Sequence, residues 1–293
     1  MAYTYIAIIY NPKSTGNSKR NATRLERRLR TSLPKAPVER IPTQYAGHAR
    51  ELACQIAKKY KQPLIVSSSG DGGYNEVING VMQAKNPQAT CAVLPSGNAN
   101  DHSRAMGGRP LADGIIAGTV THIDLLKLLT SKGLKKQDVH YAHSYIGLGV
   151  SPVVATELNS RKLNMLSEIM LAVRMFVKYD SFTIVRRGQK RRYNSLIFAN
   201  IHQMAKVLKF SKDNRPADGL FEVVELPHTR KYLILWELVK AATVGLNTTR
   251  HESKYAFKTV QDMPFQLDGE VIDIPAGSKV KVLCADNALR TVL

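Results

Sequence analysis

The chain lacks the features that mark disulfide-rich, zinc-binding or membrane-spanning proteins. Its three cysteines, Cys54, Cys91 and Cys284, have no paired spacing, so we expect free thiols in a reducing compartment. The eight histidines form no metal-ligand pattern, which argues against zinc. No segment approaches the ~20 unbroken apolar residues that span a bilayer, and the start of the chain has no signal-peptide pattern. We therefore expect a cytoplasmic protein.

Acidic residues are also scarce. The chain has 23 Asp and Glu against 42 Lys and Arg, a formal net charge of +19. Such an excess attracts anionic membrane surfaces and nucleic acids. The charge is concentrated on the first predicted helix (Lys19, Arg20, Arg24, Arg27, Arg28, Arg30) and around a predicted hairpin tip (Arg186, Arg187, Lys190, Arg191, Arg192). Because no aromatic residues alternate with these groups, we expect peripheral binding to anionic membranes and no nucleic-acid partner. A solvated surface explains either group alone equally well.

The segment 64–80 has the features of a phosphate site. An apolar run, Leu64–Val66, predicts a buried strand, and apolar residues at helical spacing follow from Val77. Between them lies a turn rich in serine and glycine. A helix that begins after such a turn offers unpaired N–H groups and a positive dipole end to a phosphate. Asp71 in this turn would repel a phosphate unless a metal ion lay between them, which indicates a magnesium nucleotide. An ordinary strand–helix turn explains the glycines alone equally well.

The stretch Gly70–Gly80 resembles the GGDGT-x-NEVxNG motif of the diacylglycerol kinase catalytic family, which includes soluble bacterial lipid kinases and sphingosine kinases. Three other loops resemble family motifs that occur in the same order. The family's NPxSG motif resembles Asn11-Pro12-Lys13-Ser14, and its T…GHA motif resembles Thr43 with Gly47-His48-Ala49. Its GTxND…R motif resembles Gly97-Asn98-Ala99-Asn100-Asp101 with Arg104. The chain departs from the motifs at three positions, where Ser69 replaces a glycine and Gly73 and Asn98 replace threonines.

This resemblance implies an ATP- and Mg²⁺-dependent kinase that phosphorylates a lipid alcohol such as diacylglycerol. The nucleotide-binding residues that it implies are Asn11, Pro12, Lys13, Ser14, Thr43, Ser69, Gly70, Asp71, Gly72, Gly73, Asn75, Glu76, Gly97, Asn98, Asn100 and Asp101. The family's proton acceptor corresponds to Glu270, with Asp268 as a near partner that holds metal or orients the hydroxyl. A structural magnesium ion is implied at the Asp218 side chain and the carbonyls of Arg215 and Leu220. From the residues alone, plain Asp-Gly turns explain both stretches better.

The order of predicted elements indicates two domains. Strands and helices alternate at the start, beginning with a strand over Tyr5–Tyr10, which favours a Rossmann-like α/β domain with a parallel sheet over residues 1–124. Residues 125–285 contain predicted strands separated by turns, among them strands over 140–148 and 279–284, which predicts a mainly antiparallel β-sandwich, as the resemblance also implies. That domain would bind the lipid, and residues 286–293 are expected to return to the first domain. An apolar helix with basic flanks, predicted over 161–178, either packs in the core or borders the lipid tail.

Two other functions stay open at this point. One is a kinase of a soluble substrate such as NAD or a sugar, because the Gly-Asp-Gly turn recurs in such enzymes, although the strand-rich second half argues against it. The other is a non-catalytic nucleotide- or lipid-binding protein, which the substitutions at Ser69, Gly73 and Asn98 favour. A homodimer is also left open.

Overall fold

The structure is a computed structural model that describes residues 3–14, 16–107, 109–132, 137–149, 181–204, 208–209, 216–229 and 250–292. The chain divides into two compact units: unit 1 is Met1–Asp124 with Asn287–Leu293, and unit 2 is Leu125–Asp286. The apolar helix predicted over 161–178 and the predicted metal ligand Arg215 lie outside the described residues.

Unit 1 alternates strands and helices. Its strands are β1 Tyr5–Tyr10, β2 Val38–Pro42, β3 Pro63–Ser69 and β4 Thr90–Pro95, and its helices are α1 Ser18–Ser32, α2 His48–Lys59, α3 Asp71–Ala84, α4 Asp101–Met106 and α5 Leu111–Ala117. Strand β5, Thr121–Ser131, begins in unit 1 and ends in unit 2.

The sheet of unit 1 is parallel, with the strand order β2-β1-β3-β4. The last strand of the chain, β17 Lys279–Thr291, ends in this unit, where Thr291 pairs in parallel with Cys91. Strands β1 and β3 are buried along almost their whole length, as expected where helices cover both faces of a parallel sheet. Ile8 and Val66 are fully buried and belong to the same core as Leu29 of α1. Since β1 has β2 on one side and β3 on the other, the strand order reverses at β1, and ligands bind at the carboxyl ends of strands at such a point.

The turn predicted over 67–73 is shorter than expected. Ser67, Ser68 and Ser69 complete β3 by pairing with β4 as far as Pro95, and α3 already begins at Asp71. These serines can extend a buried strand because their hydroxyls find hydrogen-bond partners inside the protein.

Unit 2 consists mainly of strands. They are β6 Asp138–Ala142, β7 Tyr145–Gly149, β8 Phe182–Arg186, β9 Gln189–Ala199, β10 Gln203–Met204, β11 Leu208–Lys209, β12 Phe221–Pro227, β13 Arg250–Glu252, β14 Lys254–Thr259, β15 Met263–Leu267 and β16 Glu270–Ile274, with the first part of β17.

The strands of unit 2 pair antiparallel in the order β16-β15-β7-β9-β8-β14-β17, and β12 joins β9 to β13. Aromatic rings fill the core, where the ring of Phe198 meets the rings of Phe221 and Tyr255 edge-on at 5.9 and 5.0 Å. The predicted fold class, a parallel α/β region followed by a mainly antiparallel β region, is confirmed.

Two details of the predicted strands differ from the structure. The strand predicted over 140–148 is broken into β6 and β7 at His143-Ser144. The strand predicted over 279–284 continues to Thr291. The predicted basic hairpin is present: Arg187 and Gly188 link β8 to β9 with positive φ angles of 51° and 78°, as a two-residue hairpin turn requires. Within the described residues, no helix is long and apolar enough to cross a membrane.

Candidate functional site

A buried hydrogen-bond network joins the loops that follow β1, β3 and β4. The hydroxyl of Ser18 donates to the Ser68 carbonyl, and the hydroxyl of Ser68 donates to the Ser18 carbonyl at 3.0 Å and lies 3.2 Å from the hydroxyl of Ser96. Asn21 donates from Nδ2 to the Gly16 carbonyl and to Ser96 Oγ, both at 3.0 Å. These bonds hold the start of α1 against the ends of two strands, so the three loops form one pre-organised surface.

Asn11, the first residue of the loop after β1, stabilises the turn of this loop by hydrogen bonds to its backbone. Asn11 accepts from the Lys13 N–H at Oδ1, at 2.9 Å, and from the Ser14 N–H at its carbonyl, at 3.1 Å. The Ser14 hydroxyl donates to the Ser96 carbonyl. Pro12 and Lys13 are exposed. The loop therefore presents the Lys13 ammonium group on a rigid turn, while Asn11 and Ser14 shape the backbone.

Two glycines pack against each other where the loops after β3 and β4 meet. A Cβ on Gly97 would overlap the Cα of Gly70, and a Cβ on Gly70 would lie 3.1 Å from the Cα of Gly97. Asn100 closes the second loop by accepting from the Gly97 N–H at 3.0 Å and donating to the Gly97 carbonyl at 2.9 Å. The absence of side chains at Gly70 and Gly97 thus brings the two backbones together. Asn98, which lies between Gly97 and Asn100 in this loop, is exposed.

Helix α3 begins at this junction without a side-chain cap among the described residues. Its N-cap residue is Gly70, and Asp71, Gly72 and Gly73 form its first turn. The unpaired N–H groups and the positive dipole end of a 14-residue helix favour an anion here. This is the geometry that the sequence predicted for a phosphate.

The carboxylate of Asp71 accepts hydrogen bonds from the first N–H groups of α4. Its Oδ2 accepts from the Asp101 N–H at 3.1 Å, and its Oδ1 accepts from the His102 N–H at 3.2 Å. Asp101 is fully buried and bonds to Arg104 at 3.0 Å. Asp71 therefore links two loops of the site. A carboxylate oxygen has two lone pairs, so these two bonds are compatible with the predicted magnesium role.

Glu76 and Asn75 contact protein groups. Glu76 accepts from the N–H groups of Gly47 and Ala49, at 2.9 and 3.2 Å, and so caps the start of α2. Asn75 is buried and accepts the side-chain amide of Asn79 at its carbonyl and at Oδ1, at 2.9 and 3.0 Å. The resemblance implies nucleotide contacts for both residues. Because both Glu76 oxygens bind α2, we assign Glu76 a positioning role, and the bonds of Asn75 within α3 indicate the same for that residue.

Thr43 and Ser69 border the same edge of the sheet. The Thr43 N–H donates to the carbonyl of Tyr10, the last residue of β1, at 2.9 Å. Ser69 is buried at the end of β3, where its hydroxyl lies 2.7 Å from the Ser67 hydroxyl and donates to the Gly70 carbonyl at 3.0 Å. The predicted nucleotide-binding residues thus lie in loops at the carboxyl ends of the strands and in the first turns of α3 and α4.

In unit 2, the carboxylate of Asp268 is fully buried and binds three backbone N–H groups. Oδ2 accepts from His143 at 2.7 Å, and Oδ1 accepts from Ser144 and Tyr145, both at 2.9 Å. The His143 ring nitrogen Nε2 lies 3.4 Å from Oδ2. These bonds make Asp268 an anchor for the bend between β6 and β7, which explains why the strand predicted over 140–148 breaks there. The metal-holding or hydroxyl-orienting role that the resemblance implies for Asp268 stays a prediction.

Glu270 follows directly on this anchor. Asp268 and Gly269 have φ angles of 51° and 99° and connect the paired residues Leu267 and Glu270, which makes a two-residue hairpin turn between β15 and β16. Glu270 is the first residue of β16, and its side chain is exposed. The buried Asp268 therefore fixes the turn from which an accessible carboxylate projects.

The predicted structural-metal loop is described only in part. Asp218 is exposed, and its Oδ1 accepts from the Leu220 N–H at 3.0 Å. Leu220 is 37% exposed. No group of three or more His, Cys, Asp and Glu side chains that could hold a metal ion occurs in the part of the chain that the structure describes. A site built on one carboxylate and two carbonyls would not produce such a group, so this metal stays a prediction.

Sequence reasoning missed the polar residues beneath the loops. Ser18, Asn21, Ser68 and Ser96 form the buried network described above, and His143 packs against Asp268. The available signal was the run of three serines directly after an apolar strand, since hydroxyls in a buried strand need internal partners.

Comparison with known proteins agrees with these observations. Residues 5–128 match the diacylglycerol kinase catalytic domain family. A diacylglycerol kinase of Staphylococcus saprophyticus is 26% identical over 283 residues, which cover 90% of this chain and 88% of that protein. A diacylglycerol kinase of Bacillus subtilis is 36% identical over 88 residues, 28% of each chain. The predicted resemblance, and with it the lipid kinase class of this enzyme, is confirmed.

A solved structure shares the fold. The crystal structure of a diacylglycerol kinase from Bacillus anthracis superposes with a TM-score of 0.74 and covers 100% of this chain and 97% of that one, at 18% identity. At this identity the likeness shows the fold alone.

Proposed function

We propose that this chain, whose residues 5–128 match the diacylglycerol kinase catalytic domain family, transfers the γ-phosphoryl group of ATP to the hydroxyl of diacylglycerol or a related lipid alcohol. The observation that carries this proposal is the junction of loops in unit 1. There, the uncapped start of α3 lies where Gly70 and Gly97 bring two backbones into contact. An anion-binding helix end on a rigid surface is what phosphoryl transfer needs, because the protein chiefly positions groups and stabilises charge.

Residues of unit 1 would hold the nucleotide. The first-turn N–H groups of α3 would bind phosphate oxygens, and the exposed Lys13 ammonium group would add positive charge. Asp71 would hold Mg²⁺ while it keeps its bonds to the start of α4. When bound, ATP supplies the phosphoryl group and Mg²⁺ offsets the charge of its phosphates.

Glu270 would accept the proton of the lipid hydroxyl. A neutral hydroxyl is a weak nucleophile, and a positioned carboxylate that removes its proton typically contributes about 10² to 10⁴ in rate. Glu270 is accessible, and the hairpin turn that carries it is held by Asp268. Asp218 would hold the structural magnesium ion. We further propose peripheral association with anionic membrane surfaces in the cytoplasm, which the net charge of +19 supports.

The test is phosphorylation of a substrate panel by the purified full chain. Radiolabelled ATP would be offered with diacylglycerol, ceramide, sphingosine, NAD and simple sugars, with the Glu270→Gln variant as control. We expect label on a lipid alcohol only, and at least 100-fold less with the variant, in line with a general base. Label on NAD or a sugar would establish a soluble-substrate kinase instead. ATP binding without any labelled product would indicate a non-catalytic binding protein.

A further inference from the structure

Unit 2 contains a cavity of about 470 Å³, and the residues that line it are not among those implied in the kinase reaction. It lies across three neighbouring strands, β9, β12 and β13. The lining residues are Arg191, Arg192, Tyr193, Val223, Glu225, Pro227 and Arg250. Strand pairing places them together, because Tyr193 pairs with Pro227 and Arg250 pairs with Val223. The walls therefore belong to one continuous sheet.

Three arginines belong to the described lining of this cavity. Arg191, Arg192 and Arg250 are exposed, and none of them makes an ion pair with a described residue. Elsewhere in the described chain, arginines such as Arg28 and Arg40 pair with carboxylates. The positive charge of these three arginines thus has no ion-pair partner among the residues that the structure describes.

The carboxylate in the lining, that of Glu225, is already engaged. Arg186 lies 3.3 Å from its Oε1, and the Tyr255 hydroxyl donates to the same oxygen at 2.8 Å. Burial is the largest cause that raises the pKa of Tyr255 above its usual value, so this hydroxyl keeps its proton and stays a donor. Arg186 also stacks on the Tyr255 ring at 3.7 Å. The described lining residues therefore carry three positive charges, those of Arg191, Arg192 and Arg250, against the one negative charge of Glu225.

We propose that this cavity binds the phosphate group of an anionic phospholipid headgroup. Guanidinium groups bind phosphate oxygens through paired hydrogen bonds, and several around one cavity select for that group. The volume lies within the range of about 300–1,000 Å³ that is typical of small-molecule sites, which is more than a free phosphate ion needs. Tyr193, Val223 and Pro227 add an apolar surface for the carbon atoms next to the phosphate. This site would give the predicted membrane association a defined location.

The experiment compares vesicle binding by two double variants of the full chain. Arg191→Gln with Arg250→Gln removes two cavity charges. Lys58→Gln with Lys59→Gln removes the same charge from exposed positions at the end of α2, outside both basic groups, and serves as the matched control. Binding would be measured by sedimentation with phosphatidylcholine vesicles that contain or lack phosphatidic acid, and thermal melting would verify that each variant is folded.

We expect the cavity variant to bind the anionic vesicles about 30-fold more weakly than the wild type, because two basic residues at a membrane surface contribute about 2 kcal/mol together. The control variant, whose substitutions lie outside the cavity, should bind less than about threefold more weakly than the wild type. Vesicle binding needs no turnover, so a failure here leaves the kinase assignment intact. Equal loss in both variants, or no binding of the wild type to anionic vesicles, would overturn the cavity assignment.

A second experiment distinguishes a phospholipid headgroup from free inorganic phosphate as the ligand of the cavity. Inorganic phosphate and glycerol 3-phosphate would be titrated into the vesicle-bound wild type. We expect glycerol 3-phosphate to release the protein at lower concentration, because it also fills the apolar part of the cavity. Release at equal concentrations would show that the cavity binds free phosphate and would contradict the headgroup assignment.

Discussion

The hydroxyl of Ser69 fills the space that a side chain at Gly73 would need. A Cβ on Gly73 would lie 2.5 Å from Ser69 Oγ and 2.7 Å from Ser69 Cβ. The motif that this stretch resembles has glycine at the first of these positions and threonine at the second. The two departures therefore compensate each other, because one hydroxyl has been exchanged between two residues that share the same space at the start of α3.

This relationship predicts non-additive effects of substitution. Gly73→Thr alone places a side chain against Ser69, and Ser69→Gly alone removes the hydroxyl, so both variants should lose activity. The double variant should recover most of it, with a coupling of about 0.5–3 kcal/mol as for residues in contact. The measurement is kcat and the melting temperature of all four proteins. Additive losses would mean that the two positions act independently.

Asp71→Ala should reduce both turnover and stability. The variant removes the proposed magnesium ligand, and it also leaves two N–H groups of α4 without their acceptor. Loss of such a cap costs about 0.5–2 kcal/mol. Asp113→Ala, which removes an exposed carboxylate from the first turn of α5, is the matched control and should keep full activity. Unchanged turnover of the Asp71 variant would remove this residue from the reaction.

Glu270→Gln should lower kcat by about 10² to 10⁴ and leave ATP affinity nearly unchanged, because it removes a base and keeps the shape of the side chain. Steady-state kinetics and a separate nucleotide-binding measurement give the two quantities. Asp273→Asn, an exposed carboxylate on the same strand, is the control. If ATP affinity fell instead, Glu270 would belong to the nucleotide site.

Asp268→Asn should mainly lower the free energy of unfolding. An amide in place of the carboxylate can keep two of the three backbone bonds, but it sets an N–H group against the His143 N–H. A buried donor that loses its acceptor costs about 1–3 kcal/mol. Urea unfolding should show this loss, while Asp273→Asn should stay near the wild type. A wild-type unfolding midpoint combined with a strong dependence of kcat on magnesium would support the metal-binding role that the sequence predicted.

Stability should fall at mildly alkaline pH because of Cys91. Burial raises the pKa of this thiol to about 12, whereas an unfolded thiol has a pKa of about 8.5. Between these values the unfolded chain loses the proton and the folded chain keeps it, so the contribution is complete below about pH 8.5 and declines above it. The expected loss is about 1 kcal/mol from pH 8.5 to 9.5. The free energy of unfolding, measured with urea across this range, should decrease less steeply with pH for Cys91→Ala than for Cys284→Ala. Equal slopes would exclude Cys91 as the source.

The amino-acid sequence by itself determined the fold class and the location of the loops. Strands such as Tyr5–Tyr10 were predicted with their observed bounds, because an apolar run of this length between turn residues is a local property of the chain. The hairpin turns at Gly188 and Gly269 were likewise predictable, since a positive φ angle is encoded by the turn residues themselves.

Only the tertiary structure decided what the carboxylates of the motifs contact. Asp71, Glu76 and Asp268 all stand in motifs that indicate a ligand, yet each accepts backbone N–H groups from a distant part of the chain, 125 residues away for Asp268 and His143. A carboxylate uses the same lone pairs to coordinate a phosphate-bound metal ion and to accept a hydrogen bond from an unpaired N–H group of a helix or loop. Which of them it binds depends on which group the fold brings within about 3 Å, and that distance is set by the packing of elements far apart in the sequence.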